Sequence, residues 1–344
     1  LRERKMRRPV GKLSIDELKK HVLPFRGVYD PRIILGQMVG GDAAIINLGE
    51  EKLILKADPI TGAVKELGWL AVAIPSNDVA AVGGKPQWIL TVLIMPTTSD
   101  AEDVERIMRQ IDEAAKKLDV AIVGGHTEFI SSIDHPIICC LVAAVTSGRL
   151  VSASEVKPGD RIVLTKGAAI EATGILASDL SKEVEAAFGK QFLVKARSFI
   201  KEVCVVPEAL EAINIEGVSA MHDPTEGGIL TALHELAEAS GTGLLVYRDR
   251  IFMSEETEKL CRHFKIDPLG ALSSGALLIT VNQESTEALL KSIRRLGVKA
   301  EVIGEIKERS FGRRMILEDG KTVDLPLPER DELWKIFDKI THQV

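Results

Sequence analysis

The sequence predicts an α+β protein made of two αβ halves. Strand-like and helix-like segments alternate along the whole chain. Connections are short and apolar strand runs often follow one another directly, which disfavours a doubly wound sheet. The character changes between Gly148 and Asp160, where Ser152, Ser154, Pro158, Gly159 and Asp160 crowd into one connection. The 344 residues agree with this division, since domains run to about 150 residues.

Lys52 to Ala57 reads as a short strand stopped by Asp58 and Pro59. Gln87 to Met95 is a second strand, ended by Pro96. A helix follows: Ser99 and Glu102 form a capping-box pattern, and Val104, Ile107, Met108, Ile111, Ala115 and Leu118 recur at helical spacing. Val120 to Val123 and Pro136 to Val145 are two further strands. The second is apolar on both faces, as a sheet centre or a subunit interface requires. Within it Cys139 and Cys140 point to opposite sides and pack separately. The second half predicts strands at Arg161–Thr165, Val218–Met221, Gly243–Tyr247, Ala276–Val281 and Ala300–Ile306. Helices are expected at Thr225–Ala239 and Ser285–Leu296, the latter stopped by Gly297. A last amphipathic helix carries Leu333, Trp334, Ile336, Phe337 and Ile340.

Composition excludes several classes of function. With 45% hydrophobic and 27% charged residues the chain is neither disordered nor collagen-like. Its longest apolar run, Ile137 to Val145, is far short of the roughly 18 residues of a membrane span. A net charge of −6 and an aromatic content of 4% argue against a nucleic-acid binder. Four cysteines without a Cys-x-x-Cys pair make neither a disulfide framework nor a zinc knuckle. Leu1 to Lys12 holds six basic residues but no apolar h-region follows, so a solvated tail and a cytoplasmic protein are expected rather than a secretory signal.

The common nucleotide loops, the Gly-x-Ser-x-Gly elbow and the His-Glu-x-x-His metal motif are absent. Four other clusters carry the chemistry: Gly40-Gly41-Asp42, Lys56-Ala57-Asp58-Pro59, the run Ser76-Asn77-Asp78 to Gly83-Gly84-Lys85-Pro86, and Gly124-Gly125-His126-Thr127 at a strand end. Each has a plain reading. Asp42 and Asp58 suit turns, Asn77-Asp78 suits the N-cap of a short helix, and Gly124-Gly125 suits a loop with a surface His126. Four such clusters in one half shift the balance. Glycines let backbone N–H groups approach a phosphate, and carboxylates beside them can hold Mg²⁺. The second half adds His222-Asp223-Pro224-Thr225-Glu226-Gly227-Gly228. Here Asp223 suits an N-cap, Pro224 the first helical position and Glu226 a capping box, at a helix start that is also an anion site.

Taken in order, these clusters resemble the aminoimidazole ribonucleotide (AIR) synthetase superfamily. That group also includes selenophosphate synthetase, thiamine-monophosphate kinase, formylglycinamidine ribonucleotide synthetase and the hydrogenase-maturation carbamoyl dehydratase. The resemblance covers roughly residues 35 to 310. Ser76 to Pro86 is similar to the family's Asn/Ser-Asp-(Ile/Val)-x-Ala-x-Gly-x-Lys-Pro motif, and Gly124 to Thr127 to its Gly-(Gly/Asp)-(acid or His)-(Thr/Ser) motif. The Asp-Pro-Thr-x-Gly-Gly at Asp223 looks most like the hydrogenase-maturation branch. Ser273 to Leu278 and Val302 to Ile306 match two further stretches.

The resemblance implies a segment 1–34, an ATP-binding unit 35–150, a second unit 157–310 and an extension 311–344. The N-terminal unit would pair with a second copy into a barrel-like homodimer, and the second would be an αβ sandwich. ATP would lie near the dimer interface, closed over by the N-terminal segment. Asp42, Asp58, Asp78 and Asp223 would hold Mg²⁺, while Asn77, Gly124, Gly125 and Thr127 would contact phosphates. His126 stands where relatives have an acid, and would bind phosphate when protonated or fill space. Lys56, Lys85 and Lys166 are candidate charge partners. Glu171, Thr173, Gly174 and Asp179 either line a substrate pocket or form a solvated helix start. The implied activity is ATP-dependent activation of an oxygen on a small substrate, by a ligase, cyclase or phosphotransferase. The alternative is a nucleotide-binding sensor or assembly partner without turnover. Two departures bear on the choice. The sequence ends Thr341-His342-Gln343-Val344 where the carbamoyl dehydratase has a substrate-carrying Cys, and no Cys precedes Cys139 where selenophosphate synthetase uses one.

Overall fold

The computed structural model describes residues 10–61 and 65–341. Most of the basic start and His342 to Val344 lie outside the described residues. The first sheet contains β1 (Ile33–Leu35), β2 (Ala44–Asn47), β3 (Lys52–Ile60), β4 (Trp88–Pro96), β5 (Ala121–Ile130) and β6 (Ile137–Thr146), in the order β1-β2-β3-β6-β4-β5. Its pairs are antiparallel except β4 with β5. That exception follows from the 18-residue helix between them, because parallel neighbours need a crossover.

The helices in chain order are α1 (Ile15–His21), α2 (Leu67–Ala81), α3 (Ala101–Leu118), α4 (Ile170–Asp179), α5 (Ser181–Phe188), α6 (Lys190–Ser198), α7 (Val206–Ala212), α8 (Gly228–Ser240), α9 (Glu255–Phe264), α10 (Thr286–Arg295) and α11 (Trp334–Thr341). The second sheet contains β7 (Arg161–Thr165), β8 (Val218–His222), β9 (Gly243–Tyr247), β10 (Leu278–Val281), β11 (Ala300–Lys307), β12 (Arg313–Ile316) and β13 (Thr322–Asp324). Its order is β13-β12-β9-β11-β7-β10-β8, antiparallel except β9 with β12. The chain is thus α+β with two mixed sheets. The second sheet takes in residues 313–324, within the stretch read from sequence as an extension.

One face of the first sheet, carrying Ile54, Ile89, Leu93, Ile138, Cys140 and Val142, packs under α2 and α3. The other face carries Trp88, Leu90 and Val92 of β4 half-exposed, and β5 is exposed along nearly its whole length at the sheet edge. α2 is apolar along most of its length and almost wholly buried, with Ser76, Asn77 and Asp78 its polar exceptions, as a helix packed from both sides requires. It lies between the halves. Asn77 in its last turn donates to the Val203 carbonyl and accepts from the Val205 N–H, both at 2.8 Å. Trp69 donates to the Ile200 carbonyl at 2.7 Å. The core therefore runs without a break from Ile54 of β3 to Ile175 and Leu176 of α4.

Several expected boundaries move. The α3 capping box uses Asp100 and Asp103, one residue beyond Ser99 and Glu102. β3 does not stop at Asp58 but stays paired through Pro59, opposite Cys139 and Cys140 of β6. The Gly124-Gly125 pair is no loop: it lies inside β5, where a side chain on Gly125 would meet the Thr91 carbonyl oxygen at 2.1 Å. Asn77 and Asp78 lie inside a helix, near its C-terminal end at Ala81, rather than capping one. α8 begins at Gly228, because Gly227 and Gly228 (φ +83° and +62°) turn the chain first. Its N-cap is Gly227 rather than Asp223, with no side-chain cap, and Asp331 holds the turn before it by accepting from the Gly227 N–H at 2.6 Å.

Candidate functional site

The turn before β2, the end of β3, the last turn of α2 and the segment after β8 converge on one cleft of about 580 Å³. They bring Asp42, Asp58, Asp78 and Asp223 together along its wall. Residues 56 and 58 are two apart on β3, so their side chains share a face. Lys56 Nζ lies 3.1 Å from Asp78 Oδ1 and 3.4 Å from Asp58 Oδ1. Burial pulls the Lys56 pKa down, but Asp78 and Asp58 outweigh it and hold the ammonium well above its ordinary value. Lys56 is thus a fixed cation.

The carboxylates are over-supplied relative to it. Burial, and then the charge of Asp223, push Asp78 well above the usual carboxylate range. Burial and the neighbouring Asp42 push Asp223 up to about 7. Asp78 Oδ2 and both oxygens of Asp223 are buried with no hydrogen-bond partner among the described residues. An unpaired buried polar atom costs about 1–3 kcal/mol, more when charged. Three orphaned carboxylate oxygens facing one cleft fit a divalent cation, which would supply the missing partner.

A histidine also lines the cleft. His222 Nδ1 is 2.5 Å from Asp42 Oδ1, and its Nε2 is 3.1 Å from Glu235 Oε2 on α8. Burial lowers the imidazole pKa, but Asp42 and Glu235 outweigh it and raise it well above its ordinary value. At the mouth, Lys12 Nζ donates to Thr225 Oγ1 at 2.8 Å, and its backbone N–H donates to Glu226 Oε1 at 2.8 Å. Trp334 Nε1 donates to the same Glu226 oxygen at 3.1 Å. The N-terminal segment and α11 therefore wall one side.

The remaining expected residues divide. Glu171 lines the cleft, with Oε2 buried and unpartnered and its carboxyl lifted by burial to about 7. Thr173 instead donates to the Ala169 carbonyl, Gly174 packs on the Ile200 backbone, and neither they nor Asp179 line the cleft. Lys85 pairs with Asp119 on the surface and Lys166 with buried Glu208, so Lys56 alone of the three lysines stands in the cleft. Asn77 is spent on the Val203 and Val205 backbone rather than facing the cleft. Gly124, Gly125, His126 and Thr127 lie on the exposed edge strand, away from the aspartates, with His126 Nε2 3.4 Å from Glu128 Oε2. Sequence reasoning missed His222, Glu235, Lys12, Glu226 and Trp334 as cleft residues. His222 and Glu226 stand inside the His222 to Gly228 motif, whereas Glu235 reads as one more polar helix residue.

The fold agrees with what known proteins show. The two units described as AIR synthase related protein, N-terminal domain, and AIR synthase related protein, C-terminal domain, match residues 40–146 and 157–316. The chain belongs to the AIR synthase related protein family. Within it the likeness runs to the HypE-like branch. A protein of Methanocaldococcus jannaschii named for hydrogenase expression and formation is 31% identical over 299 residues, covering 83% of this chain and 85% of that one. Carbamoyl dehydratase HypE of Cupriavidus necator is 28% identical over 248 residues, covering 71% of this chain and 68% of its own. The crystal structure of hydrogenase maturation protein HypE in complex with ATP superposes with a TM-score of 0.71 at 22% identity, over 82% of this chain and 87% of that one.

Proposed function

We propose that the chain is an ATP- and Mg²⁺-dependent enzyme that activates an oxygen of a small substrate by phosphorylation, acting as a homodimer. The observation that carries this reading is the set of buried, unpartnered carboxylate oxygens of Asp78 and Asp223 beside the fixed ammonium of Lys56. A fold shared with a protein crystallised with ATP supports it. Asp42, Asp58, Asp78 and Asp223 would hold Mg²⁺, which when bound neutralises phosphate charge and so eases attack on the γ-phosphorus. Lys56 adds a positive charge locked in place by two carboxylates. Asn77 positions its neighbour Asp78 by tying the end of α2 to Val203 and Val205.

The homodimer supplies a role for the edge strand. β5 offers an unpaired edge and β4 an apolar face of Trp88, Leu90 and Val92, so a second copy would cover both. Gly124, Gly125, His126 and Thr127 would then reach phosphates across that interface.

The test is calorimetric titration with ATP, with Mg²⁺ and after its removal by chelation, on wild type and on the Asp58→Asn, Asp78→Asn double variant. The expected result is Mg²⁺-dependent binding weakened about 100-fold or more in the variant, roughly 2.7 kcal/mol. Undiminished binding in the variant would sink the site assignment. Binding without phosphate release across a panel of amides and phosphorylated ribosides would favour a sensor or assembly partner instead.

A further inference from the structure

We infer that Asp42, His222 and Asp223 form a cation position of their own, built for a divalent transition metal, with Glu235 orienting the imidazole from behind. This rests on the cation reading of the cleft and divides it in two. One ligand atom from each of the three residues lies within 4.8 Å of the others, and all three side chains are buried. The site is assembled from both halves: Asp42 precedes β2 of the first sheet, while His222 ends β8 of the second and Asp223 follows it.

Charge bookkeeping separates this position from the Lys56 cluster. Lys56 forms salt bridges with Asp58 and Asp78, whereas among the described residues no salt bridge reaches Asp223. An imidazole bridging Asp42 and Glu235 would satisfy those two carboxylates. It would still leave both Asp223 oxygens buried and unpaired. A metal ion satisfies all of them at once.

The chemistry of the donors selects the ion. Mg²⁺ takes oxygen ligands, whereas an imidazole nitrogen beside carboxylates suits first-row transition metals. Among the described residues His222 is the one histidine lining the cleft. Its surroundings follow the pattern of a metal-bound imidazole. One ring nitrogen faces a carboxylate held 3.1 Å away, that of Glu235, which would hold the proton on that side once a metal replaced the proton on the nitrogen that lies toward Asp42 and Asp223. A metal held at about 2.0–2.2 Å from each ligand would widen the 2.5 Å contact between His222 and Asp42 as it seated.

The test uses untagged, chelator-stripped, nucleotide-free protein titrated with Co²⁺ and, separately, with Mg²⁺, by calorimetry and visible ligand-field absorption. Wild type is expected to bind about one Co²⁺ per chain at this position, at least about 100-fold more tightly than Mg²⁺. His222→Asp exchanges nitrogen for oxygen while keeping a donor, and should collapse that preference by about tenfold or more. Glu235→Gln, a milder change that preserves shape, should weaken Co²⁺ about 10–100-fold. Folding of each variant is checked by circular dichroism. Wild type that shows no preference for Co²⁺ overturns the inference, as does an unchanged preference in folded His222→Asp or, should that variant not fold, unchanged Co²⁺ affinity in Glu235→Gln. ATP binding with Mg²⁺ is measured on the same wild-type preparation. ATP binding without Co²⁺ binding defeats this site alone, and Co²⁺ binding without ATP binding defeats the nucleotide reading alone.

Discussion

Replacing Glu171 by Gln should stabilise the protein at alkaline pH and leave it unchanged in acid. Glu171 begins the inward face of α4, is 4% exposed, and has one oxygen without a partner. Burial is the main cause that lifts its carboxyl from 4.5 to about 7. Ser274 and Lys12 oppose the rise, and Asp331 and Glu226 add to it. Below the unfolded value both states hold the proton, so the group contributes nothing. Between 4.5 and about 7 the unfolded chain has released its proton while the folded chain retains it, so stability falls as pH rises. Above that window both are ionised and the whole penalty persists. The gap corresponds to about 3 kcal/mol. Gln keeps the shape and carries no charge. Urea unfolding followed by circular dichroism should therefore give a difference near zero at about pH 4, rising toward 3 kcal/mol at about pH 9. Asp223, also lifted to about 7, is present in both proteins and cancels, whereas Asp331, lifted to about 7 as well and repelling the Glu171 carboxylate, makes the alkaline part of the difference a property of the pair. A difference that is the same at both pH values, or a variant less stable in alkali, would refute the reasoning.

Other expectations follow from geometry already described. Asn77→Ala removes two buried hydrogen bonds between α2 and the 203–205 segment and strands their backbone partners, so a loss of about 2–4 kcal/mol is expected in denaturant titration. A smaller loss, of the size seen for surface substitutions, would mean that the tie is dispensable. Val92→Asp places a charge on the outward face of β4 and is expected to weaken the proposed homodimer by a factor on the order of 100, seen by sedimentation with the secondary structure intact. A dimer that persists would place the interface elsewhere.

Much of this architecture was legible because the sequence punctuates it. The limits of β7 and β9 match the structure residue for residue, each run being fenced by glycine or aspartate. α3 was read from its apolar stripe. Its start slipped by one because Ser99 and Asp100 each have a carboxylate three residues on, and side-chain geometry decides between them. α2 escaped notice for the opposite reason: a helix packed on all sides has no polar face and so no period to read. Asp42, Asp58 and Asp223 each stood at a visible interruption, a glycine pair or the end of a strand, whereas Asp78 stood out only through the Ser76-Asn77-Asp78 run inside an apolar stretch. Glu235 and Lys12 gave no such mark. They reach the cleft through docking of segments far apart in sequence, Lys12 against residues 225 and 226. The glycine pair at 124 and 125 misled by its composition, since the Gly125 position is dictated by a neighbouring strand rather than by a turn.

The cleft draws Lys56, Asp58 and Asp78 from one half of the chain and His222, Asp223 and Glu235 from the other. Neither half holds a complete set, so a ligand that touches both can bind only the chain whose halves are docked. Mass action then makes occupancy a clamp: at a free ligand concentration about 100-fold above Kd, the docked state gains about 2.7 kcal/mol that no undocked form shares. Protease cutting in the connection between residues 148 and 160 should accordingly slow as the cleft fills, so that a cut far from the site becomes a gauge of its occupancy.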